Sequence, residues 1–320
     1  MKKFALPILA ASLLCFNVQA ADEASGKEVA SATNEQPANA GNAGMSPEEI
    51  AEMQKKLNNP LADLWLLFFQ NDYTVYNDGH GDEYQINNFK FQPVMSFDFS
   101  ENYNLIVRPT IQHMSLETPD PSSISGVDEG GNPIFDSSTR TSGFGDVGGF
   151  AAWGTKEPVN GWILGAGVTT LLPTAAEKEI TTGGYDQIAA GPVLIALKVG
   201  DVDTYGVVAQ HFDGYGDSAI VDRHGNEEDL NLTDIQYIYR HKISPTMQVG
   251  FAPNIQIDWN KSGSDKYSVP IGIGVDKLVM FGKLPVKFGV EVYHYVKQND
   301  QFGADFGIRF FAMPVVPKLF

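Results

Sequence analysis

From Ile86 to Ser100 the odd positions hold Phe89, Phe91, Pro93, Met95, Phe97 and Phe99, while the even ones hold Asn88, Lys90, Gln92, Val94, Ser96, Asp98 and Ser100. Side chains alternate between the two faces of an extended strand, so this spacing predicts one long strand with an apolar and a polar face. The pattern returns where Met247, Val249, Phe251, Pro253, Ile255, Ile257 and Trp259 oppose Gln248, Gly250, Ala252, Asn254, Gln256 and Asp258. Val286, Phe288, Val290 and Val292 oppose Lys287, Gly289, Glu291 and Tyr293, and Phe306, Ile308 and Phe310 oppose Asp305, Gly307 and Arg309. Leu105, Val107 and Ile111 likewise oppose Arg108, Thr110 and Gln112. Strands of soluble domains usually run about 5–6 residues. Alternation kept up for roughly 10–14 residues suits a tilted strand that crosses a bilayer.

The connections point the same way. Tight turns are predicted at Glu101-Asn102, Lys156–Asn160, Gly200-Asp201, Ser244-Pro245 and Gly282-Lys283, and longer polar loops at Asn77–Gln85, Glu117–Ser142, Pro173–Gly183, Asp217–Asp229 and Asn260–Asp265. Short turns at one rim and long loops at the other are the outer-membrane barrel pattern. Twelve strands are predicted, over about 68–76, 86–100, 103–116, 143–155, 161–172, 184–199, 203–216, 231–243, 246–259, 266–281, 284–297 and 301–312. An even number returns both termini to the periplasmic side. Trp153 and Trp162 bracket a tight turn and Trp259 and Tyr267 a long loop, all with outward parity, as two interfacial aromatic girdles would be. The fold class expected is all-β: an antiparallel transmembrane β-barrel of about twelve strands over residues 61–320, with a short helix ahead of it.

The N-terminus sets the compartment. Lys2 and Lys3, the apolar run Phe4–Phe16 and Val18-Gln19-Ala20 read as a secretory signal peptide over residues 1–20, too short to span a membrane as a helix. Leu14 before Cys15 argues against a lipoprotein signal. Residues 21–45, rich in Ala, Asn, Glu, Ser and Gly, read as a flexible linker. Ser46-Pro47-Glu48-Glu49 is a capping box with Pro at the first helical position, and Ile50, Met53 and Leu57 follow on one face. A short periplasmic helix over 46–60 is predicted, as a spacer or as a plug at the periplasmic mouth.

Composition alone does not separate a soluble globule from a barrel, since 43% of the 320 residues are apolar and 19% charged. An excess of 39 acidic over 22 basic residues excludes a basic nucleic-acid binder, because acidic surfaces repel phosphate. Cleavage after Ala20 takes the net charge from −17 to about −19 and removes the single cysteine. No disulfide, thiolate nucleophile or cysteine-ligated metal is therefore expected in the mature chain.

Candidate chemistry concentrates on the polar face. Parity places Lys90, Asp98, Arg108, Asp146, Asp234, Arg240, Asp258, Lys287, Glu291, Asp305 and Arg309 in the lumen, with Lys198 and Asp276 less securely. Charges in a narrow barrel must pair or stay wet. They form either a salt-bridged core that stiffens the wall or a mixed-charge constriction that selects a small solute. Gly143–Gly148 fits G-x-G-x-x-G, but a strand-like segment follows where a dinucleotide site needs a helix, so glycine relieving crowding is the better reading. Six scattered His residues show no metal spacing, and no cofactor or metal is expected. His113 and Ser115 share a strand face, as a His–Ser pair does in outer-membrane phospholipases, and form the weaker, enzymatic alternative.

Several segments together resemble a known family: Asn59–Leu64, Phe69–Tyr73, Phe91–Val94, Tyr103–Arg108, Gly143–Val147, Leu171–Thr174, Ala190–Pro192, Thr204–Gly206 and Val269–Gly272. In that order they look like landmarks of the outer-membrane proteins labelled "MetA-pathway of phenol degradation", also mislabelled bacterial "neuromedin U". The resemblance implies a barrel and a transporter role for hydrophobic or aromatic compounds, and no residue-level mechanism. The expected function is a passive, non-enzymatic channel for small molecules in the Gram-negative outer membrane. Its expected partners are outer-membrane lipid and lipopolysaccharide, the barrel-assembly machinery and a small solute, with no nucleic acid. The C-terminus departs from the usual pattern, since Pro314 and Pro317 are expected to interrupt the last ladder before Phe320. N-terminal sequencing of the protein recovered from outer membranes is expected to begin at Ala21; an N-terminus that retains Met1 contradicts the leader.

Overall fold

The computed structural model describes Ser46, Glu48, Glu49, Met53 and residues 64–78, 82–127, 133–221, 225–300 and 302–318. The predicted signal peptide, the predicted linker, most of the predicted helix and Phe320 lie outside the described residues. Within the helix, the Ser46 N–H donates to Glu49 Oε2 at 2.7 Å and the Glu49 N–H donates to Ser46 Oγ at 3.2 Å, the reciprocal capping box.

The described residues form sixteen strands: β1 (Leu64–Asn77), β2 (Glu83–Asp98), β3 (Tyr103–Pro119), β4 (Ile124–Val127), β5 (Pro133–Phe135), β6 (Ser138–Phe144), β7 (Val147–Thr155), β8 (Ile163–Leu172), β9 (Ile188–Val199), β10 (Asp203–Tyr215), β11 (Asn231–Lys242), β12 (Met247–Phe251), β13 (Asn254–Asp258), β14 (Tyr267–Phe281), β15 (Leu284–Lys297) and β16 (Gly303–Pro317). Strands β4 and β5 form a separate hairpin in the long loop after β3. The others make one antiparallel sheet that closes when β1 pairs with β16. Strand β6 pairs with the outer part of β3 and β7 with its inner part, and β12 and β13 likewise share the place between β11 and β14. The wall therefore has twelve positions. Closure leaves no edge, which hydrocarbon requires because it offers backbone groups no partner.

The breaks in the split strands have local causes. At Gly145-Asp146 the chain leaves the β3 ladder and re-enters it, and at Gly149, with φ 144°, a Cβ would strike the Arg108 carbonyl and Pro109. Only glycine lets the two backbones approach that closely. At Ala252-Pro253 the proline has no N–H for the ladder.

Two expectations about strand ends are corrected. Strand β16 does not stop at Pro314: Pro314 pairs with Val286 and Pro317 with Leu64. The β1 ladder omits only the rungs between Leu66↔Val315 and Phe69↔Ala312, so the missing proline N–H costs a local gap and the strand resumes. Strand β1 begins at Leu64 and not at about 68, so Leu64 to Phe69 belong to the wall.

The barrel interior divides along its axis. At the short-turn end Ile106, Phe150, Ala152, Ile163, Val193, Ile195, Leu197 and Val208 form one apolar cluster. Leu66, Leu278, Met313 and Val315 form another, against which Met53 from the N-terminal helix packs. Strand β9 shows why: Val193 and Ile195 are 0% and 3% exposed while Leu194 between them is 59% exposed, so this strand is apolar on both faces. Its inward face fills the lumen where other strands present polar groups.

A closed wall of this kind is expected to migrate faster on SDS gels unheated than boiled, and a single heat-insensitive band contradicts it. Gly149→Val is expected to weaken or abolish the fast band, since the backbone strain alone costs about 1–3 kcal/mol.

Candidate functional site

The alternation of strands fixes which side chains point inward, and the register of the ladder fixes which of them share a level. Pairing aligns Arg240 with Gly250, Gly250 with Gly274, Gly274 with Glu291, Glu291 with Arg309 and Arg309 with Asp72. These six inward positions lie on one rung across β11, β12, β14, β15, β16 and β1. The two glycines leave the space that the long side chains fill: a Cβ on Gly274 would lie 2.5 Å from Glu291 Cγ.

The charges on this rung are buried and joined. Arg240 Nη2 donates to Glu291 Oε1, and Tyr293 OH donates to Glu291 Oε2. Arg309 Nε donates to Asp72 Oδ1 at 2.7 Å, and its Nη1 donates to the Ala252 carbonyl at 2.8 Å and lies 3.7 Å from Glu291 Oε2. Lys90 Nζ lies 3.2 Å from the other Asp72 oxygen. One step toward the short turns, Lys287 Nζ lies 3.1 Å from one Asp276 carboxylate oxygen and Arg240 Nε 3.6 Å from the other. Phe311 lies beneath, with the Arg240 guanidinium 6.0 Å from its ring centre. Removing one member of such a cluster strands a buried charge, which costs about 3–5 kcal/mol.

On the outer side of this rung lies a cavity of about 350 Å³. Lys90, Arg108, Asp146, Asp234 and Arg309 line it, together with Asp72, Gln92, Gln112, Gln236, Asn254, Tyr76 and Tyr295. Arg108 crosses the lumen from β3: Nη2 donates to Gln92 Oε1 at 2.8 Å and Nη1 to Gln236 Oε1 at 3.3 Å. Asp234 accepts from Asn254 Nδ2 at 2.7 Å and Gln256 Nε2 at 3.4 Å.

Asp146 holds a loop. Its carboxylate accepts the backbone N–H groups of Thr174 and Ala175, each at 3.1 Å, and of Thr182 at 2.7 Å. This draws the loop after β8 inward, so that Thr182 joins the cavity lining and Ala176 packs beside Gly143. The glycines of the G-x-G-x-x-G stretch thus serve close packing around a break between two strands. Farther out, Tyr185 packs with Leu171, Ala189 and Leu230 and its hydroxyl meets Glu228 at 3.2 Å and Asn260 at 2.9 Å. Burial pushes the Tyr185 phenol up to about 12.

Three of the sequence-derived lumen residues lie elsewhere. Asp98 is at the short-turn rim, where its carboxylate meets Lys156 at 2.9 Å and Lys318 at 2.5 Å, because β2 ends there. Asp258 shares parity with the cavity residues Asn254 and Gln256 but ends β13 at the long-loop rim, where it accepts the Asn260 N–H at 3.1 Å. Asp305 lies beside the exposed His294, 3.4 Å from Nδ1. A bulge opposite Val75/Tyr76 inserts one residue in β16 and turns the parity over. Lys198 sits by the outward Tyr205 ring at 6.0 Å, whereas Asp276 is buried inside. Asp72 escaped the sequence reading; the signal available was an acid at even spacing from Gln70 and Thr74 in an aromatic-rich stretch.

The outward aromatics sit at both rims. Trp153 stacks edge-on against Phe99 and Trp162 against Tyr205 at the short-turn end, and Lys266 Nζ lies 5.1 Å from both the Trp259 and Tyr267 ring centres at the other. His113 and Ser115 are not joined by a hydrogen bond among the described residues. The His113 ring packs edge-on to Phe144, and Ser115 Oγ accepts from Arg140 at 3.2 Å, so neither is arranged as base and nucleophile.

No known family profile and no curated protein matches the sequence. Among solved structures, the chain is similar to an outer membrane channel from Pseudomonas putida F1, with 14% identity and a TM-score of 0.54 over 79% of this chain and 94% of that one. A FadL homologue of Pseudomonas aeruginosa gives 11% identity and a TM-score of 0.41 over 82% of this chain and 93% of that one. The toluene transporter TodX of P. putida gives 10% and 0.40 over 79% and 89%. The first likeness shows a shared fold, and a closed twelve-position barrel with an apolar outer band belongs in the outer membrane of a Gram-negative bacterium.

Proposed function

We propose that the protein is an outer-membrane channel that admits a small solute from the outer side and is held shut toward the periplasm. The observation that carries this is the polar cavity of about 350 Å³ ending on the Arg240–Glu291–Arg309–Asp72 rung, with two apolar clusters beyond it. A purely structural barrel has no need of a cavity faced with charged and amide side chains. The fold likeness to an outer membrane channel supports the same reading. Tyr76, Tyr293, Tyr295 and Phe212 in the lining give aromatic solutes a surface to pack on. Conduction requires the rung to separate and the apolar layer to shift, and the paired charges set the resting state closed.

A second reading rests on that same pairing: a barrel whose salt-bridged lumen only stiffens the wall. Planar-bilayer recording separates the two. Wild-type protein is expected to show small, brief openings. The double variant Arg240→Ser/Glu291→Ser, which removes a matched pair, is expected to open more often and conduct several-fold more. Equal silence of both, together with unchanged solute uptake in a deletion strain, overturns the channel and leaves the structural barrel.

A further inference from the structure

Inside the barrel, Lys90, Arg240, Lys287 and Arg309 each have a carboxylate oxygen within 4.0 Å. Arg108 does not. Its only side-chain partners among the described residues are two neutral amide oxygens, those of Gln92 and Gln236, and its Nε is buried without a hydrogen-bond partner. A guanidinium has five N–H donors, and two amide oxygens use two of them. Asp234 is the matching case among the acids. It lines the same cavity and accepts from two neutral amides, Asn254 and Gln256, with no cation within 4.0 Å among the described residues. Asp146, the third acid in the lining, is satisfied by three backbone N–H groups, and Asp72 by Arg309 and Lys90.

The cavity therefore presents one cation and one anion that face a shared space, are each steadied by neutral amides and do not pair with each other. Charges lifted from water call for partners, and a planar guanidinium is suited to gripping a carboxylate with two parallel bonds. From these two groups we infer that the cavity binds a small zwitterion of amino-acid size, its carboxylate on Arg108 and its ammonium on Asp234. A volume of about 350 Å³ is in the range of small-molecule sites. A zwitterion brings no net charge into the lumen and satisfies both groups at once, whereas a simple anion leaves Asp234 unmatched and a simple cation leaves Arg108 unmatched. Tyr76 and Phe212 in the lining offer a surface for an aromatic side chain. This inference rests on reading the lumen as a solute site but not on the solute passing through it.

The test is isothermal titration of the full barrel in detergent with three ligands of like ring: L-phenylalanine, 3-phenylpropanoate, which lacks the amine, and phenethylamine, which lacks the carboxylate. L-phenylalanine is expected to bind about tenfold or more tightly than either, the effect of one charge-assisted contact. Arg108→Gln is expected to remove the advantage over phenethylamine, and Asp234→Asn the advantage over 3-phenylpropanoate. Lys156→Gln, at the short-turn rim and outside the cavity lining, is expected to keep the wild-type ranking. Heat-modifiable migration identifies variants that fold, and Arg108→Lys serves as a second variant that retains charge but loses the two-pronged grip. Equal affinity for all three ligands, absence of saturable binding, or folded Arg108→Gln and Asp234→Asn proteins with unchanged ranking overturns the site. Saturable L-phenylalanine binding by a barrel that never conducts upholds the site and overturns the channel. Conduction with no preference among the three does the reverse.

Discussion

Backbone N–H and C=O groups in the wall must find their partners within the wall, because the hydrocarbon around it supplies none. In this chain that demand is met when β1, at the start of the described barrel, pairs antiparallel with β16 at its end, and the remaining organisation depends on that closure. Once the sheet is a ring, each strand has two fixed neighbours, and side-chain parity sends alternate residues to lipid and to the lumen. Register then decides which lumen residues stand level. Arg309 faces Asp72 only because the closing pair aligns them, although the two lie at opposite ends of the barrel sequence.

The interior follows from how few groups fit in so narrow a ring. Where β7 to β10 turn apolar side chains inward, the lumen is filled by packing. Where β11 to β16 and β1 turn charges inward, it is filled by ion pairs, and Gly250 and Gly274 provide the room for them. Such pairs offset the loss of hydration only when each member is matched, which is why the Arg240, Glu291, Arg309 and Asp72 arrangement is a continuous chain of contacts. Above it the matching is incomplete, and the cavity begins. The loop held by Asp146 and the packing around Tyr185 narrow the space from the outer side, so different physics shapes its two ends: backbone hydrogen bonds and loop packing outside, ion pairs and apolar contact inside.

Much of this was legible as alternation. The strand limits read from the sequence fall close to those observed for β3, β10, β14 and β15, where apolar and polar residues alternate cleanly and turns carry Gly, Asn or Pro. The reading fails where period two is broken by a device that leaves no mark on composition. The inserted residue in β16 sends Asp305 outward, the gap tolerated opposite Pro314 lets the last strand continue, and the end of β2 leaves Asp98 at the rim. Strand β9 shows another limit: with apolar residues on both faces, its run Val193–Leu197 tells of burial without telling that the burial is inside the lumen.

The sequence by itself determined the kind of wall, its number of crossings and which residues face inward on most strands, because these depend on a two-residue period and on turn residues that act locally. Only the tertiary structure decided which inward charges meet. Pairing between Arg240 and Glu291, or between Arg309 and Asp72, is set by inter-strand register and by closure, both properties of strands far apart in the chain. The same holds for the charges that do not meet. Arg108 and Asp234 each look like ordinary members of a polar face, and only the packed ring shows that neutral amides hold them apart on the wall of one cavity.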